Sequence, residues 1–316
     1  MSTIGIRYIL LALVATIFPA VVQARTHSIP RLDPYADPKH DVYNPLRYIA
    51  SDTLTAIAFS LILAVALSQT WCMVKWGAKY MLAMTIGAYT FAFGISVRFG
   101  LHLHPQSKGL YIVEYLFVVL SPCAFIAAVY VLLGRLARYI ECDKHLLVSP
   151  RKITLVFVSS DVMTFLIQAA GGGTTTANDP DLIMIGSRIF LAGLALQLAS
   201  FVVFSMIYII FLYRVRFHEP TAWQMDASQK WYDDWRALAA ALFVSCIGIL
   251  VRSVYRTVEL SEGFGGHLST TESYFYLLDT LPLFVAIVVY MPFWPGRFIK
   301  LRDTKKEQES GIGNVN

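Results

Sequence analysis

Charged residues are scarce in this sequence: they make up 15% of its 316 residues, whereas 56% are hydrophobic and the mean hydropathy is +0.57. Soluble domains carry about 25% charged residues, so this composition excludes a single soluble globular domain. The formal net charge is +5, and the basic residues fall mainly in short segments between apolar runs. We therefore expect them to orient the chain in a membrane, and we expect no nucleic-acid partner.

Patterns that bind metals or nucleotides are also missing. The four cysteines have no CxxC spacing and none falls in a predicted outer loop, so we predict no structural disulfide. All seven histidines lie in predicted loops or in the N-terminal segment, which argues against zinc or haem inside the membrane. The sequence has no GxxxxGK[ST] motif and no dinucleotide fingerprint. Direct use of ATP is therefore unsupported, and no cofactor is expected.

The N-terminus has the pattern of a secretory signal. Residues 1–24 combine Arg7, an apolar run from Ile9 to Phe18 and small residues before Arg25. The run is short for a membrane span, so we favour a signal peptide over the alternative, an uncleaved anchor helix. Residues 25–50 are rich in proline and charge, and we expect them to form an irregular, exposed extracytosolic leader.

Seven apolar stretches follow, and each supplies roughly the 20 residues that a ~30 Å hydrocarbon core requires. They cover residues 51–69, 77–99, 110–134, 153–173, 183–212, 236–257 and 273–293. The sequence thus predicts an all-α, polytopic integral membrane bundle of seven transmembrane helices over residues 51–296, followed by a tail at 297–316.

Lysine and arginine are unevenly distributed among the connections. The first, third and fifth connections and the tail carry many, whereas the second, fourth and sixth hold only Arg98, Lys108 and Arg256. The positive-inside rule then places the mature N-terminus outside and the C-terminus in the cytosol, in agreement with a cleaved signal. For a chain that enters the secretory pathway, the plasma membrane is the default location.

Several polar side chains fall inside the predicted spans, where charges are costly unless paired or hydrated. Arg252, Arg256 and Glu259 recur at i, i+4 and i+7, which is one face of the sixth helix. We expect such faces to look into the bundle and to form, mostly in its outer half, a cluster suited to a zwitterionic or amine-bearing head group. The alternative is that the pairs only lock helices together. The candidate ligand-binding residues are Arg98, Glu114, Asp161, Gln168, Arg188, Gln197, Arg252, Arg256, Glu259, Glu272, Tyr276 and Asp279.

Three further features bear on packing. Pro122 lies inside the third predicted helix and can kink it. Gly186 and Gly193 share one face of the fifth helix, so we expect a close helix neighbour there. Trp71 and Trp294 lie at predicted membrane interfaces and are typical of aromatic-belt anchors.

Six stretches carry a family resemblance. The last two helices contain RSVYRTVELSEGFGGHL followed by ESYFYLLDTLP. Shorter patterns are G-x-x-x-R at 94–98, P-x-x-x-x-A-A-x-Y-x-x-x-G-R at 122–135, D-x-x-x-x-x-x-Q-x-x-G-G-G at 161–173 and G-x-x-x-Q at 193–197. From about Gly94 to Gly296 the chain resembles the fungal lipid-translocating exporter family, whose seven-helix members include resistance-to-aminocholesterol-like proteins and sphingoid long-chain-base exporters.

The resemblance implies membrane passage of, or resistance to, lipids such as long-chain bases or sterol-like amphiphiles. Two positions depart from the family pattern. Phe91 stands where we expect an acidic residue, and Trp294 stands where we expect the histidine before the terminal Pro-Gly. These departures indicate a narrower or altered range of ligands.

Three classes of function fit a bundle of this kind. A transporter or translocator of lipids and amphiphiles is our first hypothesis, because of the polar cluster and the resemblance. A seven-helix receptor or sensor is the alternative, although the last helix lacks NPxxY. An intramembrane hydrolase is disfavoured, since Asp161 and Asp279 lack the Gly-x-Gly-Asp context of aspartyl proteases, and we expect no enzyme activity.

Overall fold

Helices dominate the computed structural model, which describes residues 34–41, 43–174, 180–224, 234–263 and 266–297. The predicted signal peptide and all but the first residue of the predicted tail lie outside these residues. The long helices are α1 Asp52–Trp76, α2 Leu82–Leu103, α3 Lys108–Tyr139, α4 Pro150–Thr174, α5 Pro180–His218 and α6 Trp235–Glu262. Three consecutive helical segments, together called α7, follow at Glu272–Tyr274, Phe275–Thr280 and Leu281–Val288.

Local sequence explains where these helices begin and end. α1 begins after Ser51, whose hydroxyl accepts the Leu54 N–H, and it ends at Gly77, whose φ of 78° is easy only for glycine. α6 begins after Asp234, which accepts the Arg236 N–H. Several helices are longer than predicted, because hydropathy locates only the apolar part of a helix; α5 continues to His218, past the predicted end at residue 212.

The chain is a multi-pass membrane protein: α1 to α6 are each long and apolar enough to cross a bilayer. The seventh predicted span corresponds to α7, whose helix stops at Val288, before the predicted end at residue 293. Its middle segment, Phe275–Thr280, is a π-helix. A seventh crossing and the orientation of the termini stay predictions.

The helices form a ring in chain order. Each packs on its sequence neighbours, α7 returns to α1, and α3 also contacts α6 across the middle. Aromatic side chains fill the interior, among them Tyr130, Phe201 and Phe204, whereas Leu61, Met163 and many other large apolar side chains face outward. An apolar exterior over an aromatic interior suits lipid as the surrounding solvent.

Glycines bring α4 and α5 close together, as predicted from Gly186 and Gly193. A Cβ built on Gly193 would lie 2.7 Å from the Cγ of Gln168, and one on Gly171 would lie 2.5 Å from the Phe190 nitrogen. Side chains at these positions would force the helices apart. The small-residue face therefore sets the spacing at which polar groups of α4 and α5 meet.

Two expectations differ from the structure. Two residues near the end of the predicted exposed leader are buried: Asn44 and Ala50 are each 1% exposed, and the Ala50 carbonyl lies 2.7 Å from Nδ1 of His102. Trp294 is also buried, and its indole N–H donates to the Gly77 carbonyl at 3.2 Å. It is therefore a packing residue beneath the α1–α2 turn, whereas Trp71 is exposed as predicted.

Candidate functional site

Arg98, near the end of α2, is completely buried and contacts two carboxylates. Its Nη1 donates to Glu114 of α3 at 3.1 Å and its Nη2 to Glu272 of α7 at 3.2 Å. The guanidinium also lies over the Phe275 ring, 4.2 Å from the centroid. One charged side chain thus joins the neighbouring helices α2 and α3 to α7, which is distant in sequence, at the bundle end that carries the α2–α3 and α6–α7 connections.

The segment before α1 completes this arrangement. Arg98 donates to the Tyr48 hydroxyl at 2.9 Å, and Glu272 accepts the Ser51 N–H at 2.8 Å. Burial raises the pKa of Tyr48 to about 12 despite the nearby guanidinium, so the phenol is neutral at physiological pH. Next along α7, the Tyr276 hydroxyl lies 3.0 Å from Oγ1 of Thr55. The start of α1 is therefore fastened to α7.

Asp279 accepts hydrogen bonds from two arginines of α6. Arg252 reaches Oδ1 through Nε at 2.9 Å, and Arg256 contacts both oxygens through Nε and Nη2 at 2.8 Å each. The carboxylate is 0% exposed, and both arginines are 3% exposed. Asp279 lies in the π-helical segment of α7. Such segments are rare and frequently mark functional sites.

A proline in α3 supplies the remaining partner of Arg252. Pro122 has no N–H, so the carbonyl four residues earlier, that of Val118, lacks its usual helical donor. Arg252 donates to that carbonyl through Nη2 at 2.9 Å, and the Ser121 hydroxyl also donates to it at 3.1 Å. Pro122 thus remains inside a continuous α3 while its missing hydrogen bond creates an acceptor for a buried arginine.

Glu259 is the outermost carboxylate of this group on α6. It accepts from Nη1 of Arg256 at 2.9 Å, and its side chain is 15% exposed. Phe275 lies between the two halves of the arrangement, with its centroid 4.2 Å from the guanidinium carbon of Arg98 and 5.5 Å from that of Arg256. We call the following residues the charged network: Arg98, Glu114, Arg252, Arg256, Glu259, Glu272 and Asp279.

The charged network contains more carboxylates than guanidinium groups. Each guanidinium carries one positive charge, and the three arginines face four carboxylates. With all of these groups ionised, the network has one excess negative charge. An additional cation at its edge would neutralise it.

Two other predicted residues, Gln168 of α4 and Gln197 of α5, form a separate amide pair. Gln168 donates to Gln197 at 2.9 Å, and Gln197 donates to the Cys123 sulfur of α3 at 3.3 Å. Asp161, two turns before Gln168 on α4, is 4% exposed, and within the described part of the chain neither of its oxygens makes a hydrogen bond of ordinary geometry. Asp279, in contrast, is bound by two arginines, so the two aspartates do not form the paired-carboxylate site of an aspartyl protease.

Arg188 was expected to look into the bundle, and this prediction is wrong. Its side chain is exposed, whereas Gln197 on the same helix is 7% exposed. The two residues are nine positions apart, which is about two and a half turns and puts them on opposite faces. Arg188 therefore belongs to neither polar group.

Sequence reasoning missed Tyr48, Phe275 and the Val118 carbonyl, all of which contact the arginines of the network. Tyr48 and Phe275 carry no charge and had no distinguishing pattern. The Val118 carbonyl had a signal, since a proline inside a helix always leaves the carbonyl four residues earlier without its donor.

The structure is thus that of an apolar helical membrane bundle with a buried ion network at one end, and this geometry alone does not identify a ligand. The family model for RTA1-like proteins matches residues 84–302, which include every residue of the charged network. The chain belongs to the RTA1-like family.

Relatives from Saccharomyces cerevisiae agree with this membership. The chain is 31% identical over 189 residues to protein RTA1, over 187 residues to protoporphyrin uptake protein 1 and over 218 residues to the sphingoid long-chain base transporter RSB1. These matches cover 58–59% of this chain and 56–59% of each relative, so the chain spans little more than half of their length. No solved structure matches the chain.

Proposed function

We propose that this protein is a membrane transporter for amine-bearing amphiphilic lipids, with sphingoid long-chain bases as the substrate class. The ammonium head group binds at the edge of the charged network, while the hydrocarbon tail stays in lipid. With the orientation that the loop charges indicate, the network lies in the outer half of the membrane, and the plasma membrane is the expected location.

The observation that carries the proposal is the buried charged network itself. Removing ions from water costs several kcal/mol per group, and apolar side chains of similar volume often stabilise a bundle as well or better. Burying side chains such as Arg98 and Asp279, each 0% exposed, thus costs more free energy than apolar helix contacts would. Their concentration at one bundle end, with an excess carboxylate, favours a site that binds a cation.

The network has an edge where a cation can approach. The side chains of Glu272 and Glu259 are 17% and 15% exposed, whereas the other members are 4% exposed or less. Both hydrogen bonds that Glu272 accepts from described residues end on Oε1, which leaves Oε2 available. An ammonium group has three donors and no acceptor, so it suits such a carboxylate.

Helix α7 is the element best suited to move. It carries Glu272 and Asp279, and its π-helical turn interrupts the regular α-helical hydrogen bonding. A shift of α7 against α6 would separate Asp279 from both arginines and open the network to the head group. Transport then alternates between a closed state, in which the charges pair with one another, and an open state, in which the ammonium replaces a guanidinium.

The relatives support transport more strongly than they support one cargo. One is named a sphingoid long-chain base transporter and another a protoporphyrin uptake protein. The excess carboxylate favours the amine-bearing cargo, because protoporphyrin carries carboxylates of its own and a long-chain base carries an amine. We therefore assign the amine lipid.

Efflux of labelled dihydrosphingosine tests the proposal in cells that lack other exporters of this base. We expect efflux to rise when the wild-type chain is expressed, and Glu272→Gln to abolish most of that rise at equal surface abundance. Glu219→Gln, the same chemical change at the opposite end of the bundle, is the matched control and should export normally. The N-acylated, uncharged form of the lipid and labelled protoporphyrin should both be poor cargoes.

Either of two results contradicts this assignment. Full export by Glu272→Gln would show that the Glu272 carboxylate does not bind the head group. Equal export of the free base and its N-acylated form would show that the amine is not recognised. A cytosolic signal that follows the lipid without any lipid movement would instead favour a receptor.

A further inference from the structure

Asp161 is a buried acid that the charged network does not include. It lies in the middle of α4, it is 4% exposed, and neither of its oxygens makes a hydrogen bond of ordinary geometry to a described residue. Backbone contacts do not compensate, since the Thr164 hydroxyl binds the Asp161 carbonyl oxygen and not the side chain. A carboxylate without a cation is among the most costly groups that can be placed inside a membrane.

The groups around Asp161 are neutral. From α3, the titratable side chains near it are Cys123 and Tyr130, and the Tyr130 hydroxyl is the neutral donor that lies close to the acid. From α5, the nearby polar side chains are those of Gln197 and Ser200, which are uncharged. None of the ion pairs among the described residues includes Asp161.

Aromatic rings close one side of this acid. The Tyr130 ring lies 5.3 Å from that of Phe157 and 4.4 Å from that of Phe204. All three residues are buried, and Phe157 lies one turn before Asp161 on α4. The space is therefore filled by packed rings, so a proton fits where a lipid head group does not.

Polar groups continue from Asp161 along the other direction of α4. Gln168, two turns later, is 1% exposed and keeps an unpartnered Oε1 while it donates to Gln197. The same α4 face then reaches Gly171, where a Cβ would lie 2.5 Å from the Phe190 nitrogen of α5. This row leads toward the bundle end that holds the charged network, and the apolar rings block the opposite direction.

We propose that Asp161 is a proton-binding site whose protonation is coupled to transport; this inference rests on the proposed function. The proton binds one carboxylate oxygen and leaves again by the same polar row, without any other bond being made or broken. While α4 and α5 are packed as observed, Asp161 is protonated. Movement that admits water releases the proton.

A short stretch of α3 links this site to the charged network. Gln197 donates to Cys123, which follows Pro122, and the carbonyl freed by that proline accepts Arg252. A displacement of α5 by hydration of Asp161 therefore acts on the α3 residues that hold Arg252 against Asp279. The two sites share residues 118–123 although they share no charged group.

Infrared difference spectroscopy of the purified full-length protein tests proton binding without any need for transport. We expect the C=O stretching band of a protonated carboxyl group in an apolar environment, shifted in deuterium oxide and absent in Asp161→Asn. Asp143→Asn, which changes an exposed aspartate, should keep the band. Identical spectra of wild type and Asp161→Asn, with both proteins folded, would overturn the proposal.

Coupling is tested in liposomes that contain the protein and labelled dihydrosphingosine. An imposed pH gradient should increase the initial transport rate several-fold for wild type and for Asp143→Asn, whereas the ratio of rates with and without the gradient should fall to one in Asp161→Asn. An unchanged ratio in that variant would overturn the coupling. If the wild type moves no lipid under any gradient, the proposed function fails, and the infrared band still decides whether Asp161 holds a proton.

Discussion

At the end of the bundle where α2, α3, α6 and α7 converge, buried ion pairs join α2 to α3, α6 to α7 and, through Arg98 and Glu272, α2 to α7. At the opposite end, Lys144 in the α3–α4 connection binds Glu219 at 2.6 Å, with 66% and 27% of these side chains exposed. Both ends use opposite charges in close contact. They differ in how far the charged groups are removed from water.

This difference in desolvation decides what each pair does. An exposed pair gains little, because water and salt screen the attraction and two long side chains lose freedom. A buried pair gains little in net stability either, but the loss of one partner leaves the other charge stranded. We therefore expect the two ends to respond very differently to the removal of one charge.

The largest effect is expected for Asp279→Ala, which leaves Arg252 and Arg256 without their shared carboxylate. Breaking a buried ion pair costs about 3–5 kcal/mol. Thermal unfolding of the purified protein in detergent should show a large decrease in melting temperature. Asp279→Asn, which keeps the shape and one acceptor oxygen, should show a smaller decrease in melting temperature. Equal melting temperatures for wild type and Asp279→Ala would contradict a stabilising role for Asp279.

An intermediate effect of opposite sign is expected for Pro122→Ala. Alanine supplies an N–H to the Val118 carbonyl and removes a helix-interior proline, whose cost is up to about 3 kcal/mol. The new donor competes with Arg252 for that carbonyl. We expect a melting temperature at or above that of wild type together with slower dihydrosphingosine export. A less stable variant with normal export would show that the proline only shapes α3.

The buried faces could be predicted from sequence because helical periodicity is local. Arg252 and Arg256 are one turn apart on α6, and both are buried as predicted. Gln168 and Gln197 were also placed correctly inside the bundle. Arg188 was misplaced because it was grouped with Gln197 as inward-facing, although the spacing of nine residues puts the two on opposite faces of α5.

The partners of the buried arginines could not be predicted in the same way. The contact between Tyr48 and Arg98 depends on how the segment before α1 folds over the bundle end, which no local pattern specifies. Which helices are neighbours also decides that Asp161 lies apart from the charged network. The spacing of residues in the sequence shows which of them share one face of a helix. Which neighbouring helix that face contacts depends on how the helices pack.

The smallest effect is expected at the exposed end and depends on pH. Hydrogen bonds from Lys144 and His145 hold the pKa of Glu219 below its ordinary value of 4.5, and Glu219 holds the pKa of Lys144 above its ordinary value of 10.5. The contribution of Glu219 is therefore complete above pH 4.5 and is lost as the pH falls through its lowered pKa. That of Lys144 is complete below pH 10.5 and is lost as the pH rises through its raised pKa.

Melting temperatures of wild type and Glu219→Gln, measured from pH 3 to pH 8, test this dependence. The exposed position limits the contribution, so the two curves should differ only slightly at pH 7 and converge in acid. The difference at pH 7 should shrink further in high salt, as expected for an exposed pair. If Glu219→Gln instead destabilised the protein as much as Asp279→Ala does, exposure would not be what separates the two ends of the bundle.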